Sequence, residues 1–231
     1  MIASALRVEI ERYAARMPHE NPLFTRAAEG TLTPVHLAHY LASVKHLVEH
    51  SLPHLRRAAS HARAVGDERL VAHFAKKCGE EAGHELWAEA DIQRNERRTR
   101  LVGQRARPSV NELIRFIEDT IDEDPVLYLS YILFAEYFVV LLGPAWLALL
   151  EERCGIPRSQ MTFVGNHAEL DRDHAEEAFD RIDELVGDPR KLRRMREVLV
   201  ESIRRFDVFA ADVVAAGDEE LHAERVRAPA A

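Results

Sequence analysis

Cysteine is almost missing from this chain: there are two in 231 residues, Cys78 and Cys154. Two are too few for a disulfide scaffold, and they do not form the Cys-x-x-Cys half of a zinc site. Positive charge is also in deficit. With 31 Lys and Arg against 39 Asp and Glu, the net charge is −8. A general nucleic-acid binder carries a basic footprint, so no nucleic-acid partner is expected. Strand-like alternation of polar and apolar residues is absent too. The N-terminal MIASALRVEIERYAARM carries charges through its helical pattern, which is not how a signal peptide reads. The longest apolar stretch, residues 126–150, is interrupted by Glu136, Gly143 and Pro144. It reads as a buried core helix, so no membrane partner is expected and a cytoplasmic location is.

What remains is helical. Hydrophobic residues at 47% and charged residues at 30% suit a sizeable core under a charged surface. Apolar periodicity predicts seven helices: Ile2 to Met17, Pro34 to Val65 with a kink or break at Pro53, Asp67 to Gln93, Ser109 to Ile121, Pro125 to just before Gly155 with a bend at Gly143-Pro144, Ser159 to Val186, and Pro189 to Ala216. Short turns between long helices imply antiparallel neighbours in one bundle. The expectation is an all-α single domain over residues 1–217, followed by a flexible tail, 218–231.

Three groups of residues carry chemistry. Glu136 lies within PVLYLSYILFAEYFVVLLGPAW, a segment apolar on nearly every face and therefore buried. A lone carboxylate there needs a metal, a basic partner or a proton. In the sixth helix, His167, Asp171 and His174 stand at i, i+4 and i+7, on one stripe with Phe163, Leu170, Ala178, Ile182 and Leu185. The stripe therefore faces the core, and its imidazoles and carboxylate suit iron, zinc or manganese. A solvated acidic face around Asp173, Glu176 and Glu177 is the alternative. In the third helix, Glu81 and His84 have the Glu-x-x-His spacing of bundle di-iron proteins, with Glu80 and Glu85 as alternatives to Glu81. Together the groups supply three carboxylates and three histidines from three helices.

At these residues the sequence resembles the heme-oxygenase-like diiron oxidase family. That family pairs a Glu and a His on its third core helix, sets a Glu on a later apolar helix and ends on His-x3-Asp-x2-His. The Glu-x-x-His form looks most like the branch with the fatty-acid decarboxylase that makes terminal alkenes. The front end, HENPLFTRAAEGTLTPVHLAHYL, is similar to the broader superfamily of thiaminase II and pyrroloquinoline-quinone synthase. The likeness spans Arg7 to Val214. It implies a heme-oxygenase-like bundle and two ferrous ions held by Glu81, His84, Glu136, His167, Asp171 and His174, with Glu136 bridging. It also implies dioxygen as co-substrate and oxidative C–C cleavage or N-oxygenation of a small molecule.

Glu136 and its neighbour Tyr137 are the candidates for a catalytic part. The aromatic residues of the same helix predict an apolar substrate pocket, and a substrate carboxylate could meet the basic segment Arg94, Arg97, Arg98, Arg100, Arg105 and Arg107, as could an acidic carrier protein. A solvated loop is the plainer account of that segment. Gly79 and Gly83 predict a third helix that opens locally without iron, or one that packs closely on a neighbour. His46, His50 and His54 share a stripe and read as a satisfied or surface row rather than a heme or second metal site. Neither cysteine is placed as an activated nucleophile. The last helix is amphipathic, and a homodimer is expected. The rival readings are a metal-binding or storage bundle without oxidation chemistry, and a metal-free member of the superfamily, which would leave Glu136 without an evident partner.

Overall fold

The computed structural model describes residues 1–227, which are helical with no strand among them. Ten α-helices form: α1 (Ile2–Glu20), α2 (Pro22–Ala28), α3 (Pro34–Glu49), α4 (Ser51–Ala64), α5 (Glu68–Glu80), α6 (Glu85–Thr99), α7 (Pro108–Glu123), α8 (Tyr128–Cys154), α9 (Thr162–Val186) and α10 (Leu192–Arg227). The all-α bundle is as expected, and the three helices beyond the expected seven have local causes. The turn before α3 contains the short α2, started by Pro22 and by the Asn21 side chain, which accepts from the Leu23 amide. The expected second helix is cut at His50, not at Pro53. Pro53 sits in the first turn of α4, where its missing N–H costs nothing. The expected third helix is cut at residues 81–84, within the candidate site.

The helix with no polar face forms the axis. Leu129, Leu133, Phe134, Leu142, Trp146 and Leu150 of α8 are all buried, and α1, α2, α7, α9 and α10 pack against it. By length and composition alone α8 could cross a membrane; here its apolar surface is met by those five helices. It runs unbroken through Gly143 and Pro144. Gly143 sets the spacing to α9, since a Cβ there would stand 3.2 Å from the Ala168 Cβ and 3.5 Å from Val164 Cγ1. Glu136 lies two turns before Gly143 on the same face, and His167 and Asp171 flank Ala168. The close approach therefore carries the ligand candidates of both helices towards each other.

The segment after residue 217, expected as a flexible tail, is helical as far as Arg227. Helix α10 continues through Gly217, while residues 228–231 lie outside the described residues. The reason is a docked contact with α3. His36 Nδ1 accepts the Thr33 amide at 3.1 Å, closing the cap of α3, and its Nε2 donates to Asp218 at 3.2 Å. Arg26 pairs with the same carboxylate. Gly217 is needed for this approach, because a Cβ there would lie 3.0 Å from the His36 Cα and nearer still to its ring. Gly217→Ala is predicted to cost about 1–3 kcal/mol by overpacking, lowering the thermal midpoint by roughly 3–10 °C. An unchanged midpoint in thermal denaturation would mean that α10 is not held there.

Candidate metal centre

Helix α5 stops at Glu80 and α6 starts at Glu85, because the backbone between them turns at Gly83 with φ +92°. Only glycine adopts that conformation freely. Glu81 and His84 are thus placed by a helix break rather than by a continuous helical stripe. The break expected in the absence of iron is part of the fold at Gly83. Gly79 lies inside α5 with nothing near its would-be Cβ, so it makes no close packing.

The break turns two side chains onto α9. Donor atoms of Glu81, His84 and His167 lie within 4.8 Å of one another. The His84 and His167 rings meet edge-on, 4.7 Å between centroids, and Trp87 stacks on His84 at 4.3 Å. His167 Nδ1–H donates to the Phe163 carbonyl at 2.8 Å, which leaves Nε2 as the free lone pair. The register of α6 against α9 is set by Asp91, a fully buried residue absent from the sequence-based expectations. It accepts the Phe163 amide at 2.8 Å, the Thr162 hydroxyl at 2.8 Å and Arg94 Nη2 at 2.5 Å. One buried carboxylate thus caps the start of α9 from a neighbouring helix, one turn ahead of His167.

The remaining three expected ligands are tied differently. Glu136 Oε1 accepts from Lys77 Nζ at 2.6 Å, and both side chains are buried. The same ammonium lies 2.9 Å from Glu80 Oε2. His174 Nδ1 is 3.3 Å from Asp171 Oδ1, and its Nε2 is 4.0 Å from Glu80 Oε2. The basic partner that the sequence reading could not find for Glu136 is therefore Lys77. A signal for it existed. Leu70, Phe74, Lys77 and Glu81 form one helical stripe at i, i+4, i+7 and i+11, and its first two members are core residues.

Carboxyl groups outnumber basic groups here. Burial pushes the Glu136 carboxyl up to about 7 despite Lys77 beside it. Burial, with Glu136 and Glu81 nearby, pushes Asp171 up to about 8. Burial would raise Glu81 also, but the His84 imidazole 3.5 Å away and the nearby Lys77 ammonium hold it below the usual carboxylate range. Burial lowers His167, favouring the neutral ligand form. Glu136 Oε2 and His84 Nδ1 are buried with no hydrogen-bond partner among the described residues. Orphaned oxygen and nitrogen donors among crowded carboxyls that resist ionising fit divalent cations of the iron, manganese or zinc kind.

A cavity of about 200 Å³ opens from this cluster. Lys77, Glu81, Glu136, His167 and Asp171 line its polar end, and residues such as Met17, Phe24, Trp146 and Phe206 its apolar body. Tyr128 and Tyr131 line it; Tyr137 does not. The expectation for Tyr137 is corrected, because its hydroxyl donates to Glu11 on α1 at 2.9 Å and its ring packs edge-on against Phe179. Leu170, expected to face the core, is exposed. Neither cysteine lines the cavity, and burial raises both thiols, against the pattern of an activated nucleophile. The histidine row is largely satisfied: His46 meets Asn111 at 2.9 Å and His50 donates to the His46 carbonyl at 2.8 Å. In the basic segment, Arg94, Arg98 and Arg107 bond to Asp91, the Gly155 carbonyl and Asp212, which leaves Arg97, Arg100 and Arg105 to solvent.

No protein-family model matches the sequence, and no curated protein matches it. Solved structures do. The chain is similar to a domain of unknown function with a heme oxygenase-like fold from Shewanella denitrificans, with TM-score 0.80 and 20% identity over 98% of this chain and 96% of that one. It is also similar to a TenA homologue from Pseudomonas syringae pv. tomato, with TM-score 0.69 and 18% identity over 93% of each chain. A CADD-like protein of unknown function from Nostoc punctiforme matches with TM-score 0.62 and 12% identity, over 94% of this chain and 98% of that one. The fold is the heme-oxygenase-like one. Identities this low establish the fold alone.

Two predictions follow from the geometry. Asp91→Ala is expected to lower stability by about 2–3 kcal/mol, because it strands a buried amide and removes the carboxylate of a half-buried ion pair. It should also weaken metal uptake by loosening His167 against His84, with Asp91→Asn intermediate. Unfolding curves and metal titration check this, and full metal affinity in the alanine variant would refute the role. Separately, burial lowers both His54 and His73 to about 4. Their folded pKa lies below the unfolded value, so stability is full above about 6.5 and is lost as pH falls towards 4, by up to about 3 kcal/mol each. A His54→Leu/His73→Leu variant should lose less stability between pH 7 and 5 than the parent in urea denaturation; an equal loss would assign it to other groups.

Proposed function

We propose that this chain is a non-heme diiron oxidase or oxygenase, using dioxygen to oxidise a small organic substrate by C–C cleavage or N-oxygenation. The observation that carries the reading is the convergence of Glu81, His84 and His167, beside Glu136 and Asp171, at the polar end of a largely apolar cavity. Two irons bound by these residues and His174 would supply reduction of dioxygen coupled to oxidation of the substrate. The protein does the rest. Gly83 and Asp91 hold the first ligands in register, and Phe163 fixes the His167 tautomer. The aromatic body of the cavity excludes water and takes an apolar chain or ring. The polar end suits a substrate carboxylate, since Lys77 lies there. This combination is nearest in kind to the alkene-forming fatty-acid decarboxylases.

A metal-free role is the second reading, and Lys77 favours it by giving Glu136 an ion-pair partner. It lacks an activated nucleophile in the cavity, and it leaves the orphaned donors unexplained.

Anaerobic titration of the full chain with ferrous iron separates the two. The diiron reading expects two irons per chain and oxygen consumption that a matching substrate accelerates. Glu136→Gln should weaken iron binding by about 100-fold or more, beyond the loss seen for outer-sphere groups. No iron uptake, or uptake and oxidation indifferent to Glu136→Gln, would leave the metal-free or storage reading standing.

A further inference from the structure

The two halves of the ligand cluster are left by the fold in different states. Glu81, His84 and His167 converge with donor atoms within 4.8 Å, and among the described residues no lysine or arginine pairs with them. Glu136, Asp171 and His174 are instead gathered around an ammonium. Lys77 Nζ stands 2.6 Å from Glu136 Oε1 and 2.9 Å from Glu80 Oε2. That Glu80 oxygen lies 4.0 Å from His174 Nε2, and His174 Nδ1 lies 3.3 Å from Asp171. Lys77 is buried, so this is not a surface pairing that water can replace.

A metal ion binds a carboxylate oxygen at about 2.0–2.2 Å. Lys77 holds Oε1 and leaves Glu136 Oε2 without a partner, so a cation taken on Oε2 would face the ammonium across one carboxylate, a few ångströms away, where charge is weakly screened. A cation held by both oxygens would have to take Oε1 from the lysine. The first group can accept a cation as it stands, whereas the second does so against the lysine's charge or in its place.

We infer that Lys77 is a built-in counter-ion at the second metal position, displaced from Glu136 when the second cation binds, so that the two positions fill in order and with unequal affinity. Glu80 is the carboxylate that the fold sets beside this second position. It is the residue the lysine already shares with Glu136, and it faces His174. The inference rests on the dinuclear reading above. It makes Lys77 a positioning residue that controls metal loading.

The test is anaerobic calorimetric titration of the full chain with Mn(II), with electron paramagnetic resonance to distinguish one bound ion from a coupled pair. The wild-type chain should bind two ions in steps separated by about tenfold or more. Lys77→Met should tighten the second step by about tenfold or more and move the first by much less. Lys77→Arg keeps the charge and should leave the second step as weak as before; it also carries the test if the methionine variant does not fold. Equal steps in the wild-type chain would overturn the inference, as would a second step unmoved by Lys77→Met or one tightened by Lys77→Arg. Those results, with two ions still bound, would leave the dinuclear reading intact. No Mn(II) uptake by the wild-type chain would remove that reading and this inference together.

Discussion

A carboxylate placed beyond the reach of water must be met by a cation or a proton, and the centre of this bundle holds three such groups. Glu136, Asp171 and Glu81 lie close enough that each raises the cost of ionising another. One ammonium, Lys77, is set among them. The rest of the site can be read as a response to this imbalance. His167 is kept neutral with one nitrogen committed to a carbonyl. His84 and Glu136 retain buried atoms without partners. Such an arrangement is costly for a purely structural core, which would satisfy or remove those groups. It is reasonable for a core that accepts cations.

The positioning of these groups comes from small features at a distance from the chemistry. Gly143 lets α8 and α9 approach, and Gly83 ends one helix so that Glu81 and His84 turn towards a third. Asp91 binds the start of α9 to the middle of α6. None of the three contributes a donor to the cluster. Each acts on backbone placement, and backbone placement over a few tenths of an ångström decides whether donors converge or miss.

Much of this was legible in the sequence, and the reasons for the remainder are physical. The helical periods, the burial of Glu136 and the inward stripe of His167 and Asp171 follow from local pattern, and the structure has them. The helix breaks at residues 50 and 81–84 were not resolved, because periodicity continues across a short interruption when both flanking segments bury the same face. The Gly83 conformation was hidden for the same reason: a glycine in a helical pattern is compatible with helix, kink or turn. Lys77 escaped notice because lysine is normally exposed, and only its place on a stripe with Leu70 and Phe74 marks it as an inward residue. Tyr137 was misread through adjacency. Neighbours on a helix point about 100° apart, so the residue after an inward Glu136 points elsewhere, here to Glu11.

That angular rule also divides the work of the site between two regions of sequence. The donors come from the α5–α6 break, from α9 and from one position of α8. The cavity body comes from α1, α2, α3, α4, α7, α10, the first turn of α9 and the other faces of α8, through residues such as Met17, Phe24, Tyr40, Leu113, Trp146 and Phe206. Only α8 and α9 supply both donors and apolar wall. A change at Phe24 or Trp146 therefore alters the volume that a bound molecule fills without moving a donor, whereas a change at Gly83 moves donors without reshaping the apolar wall. Separation of this kind lets one set of donors be combined with cavity walls of different shape. Lys77 stands where the two regions meet: it lies on α5 one turn before the break, pairs with Glu136 and lines the cavity.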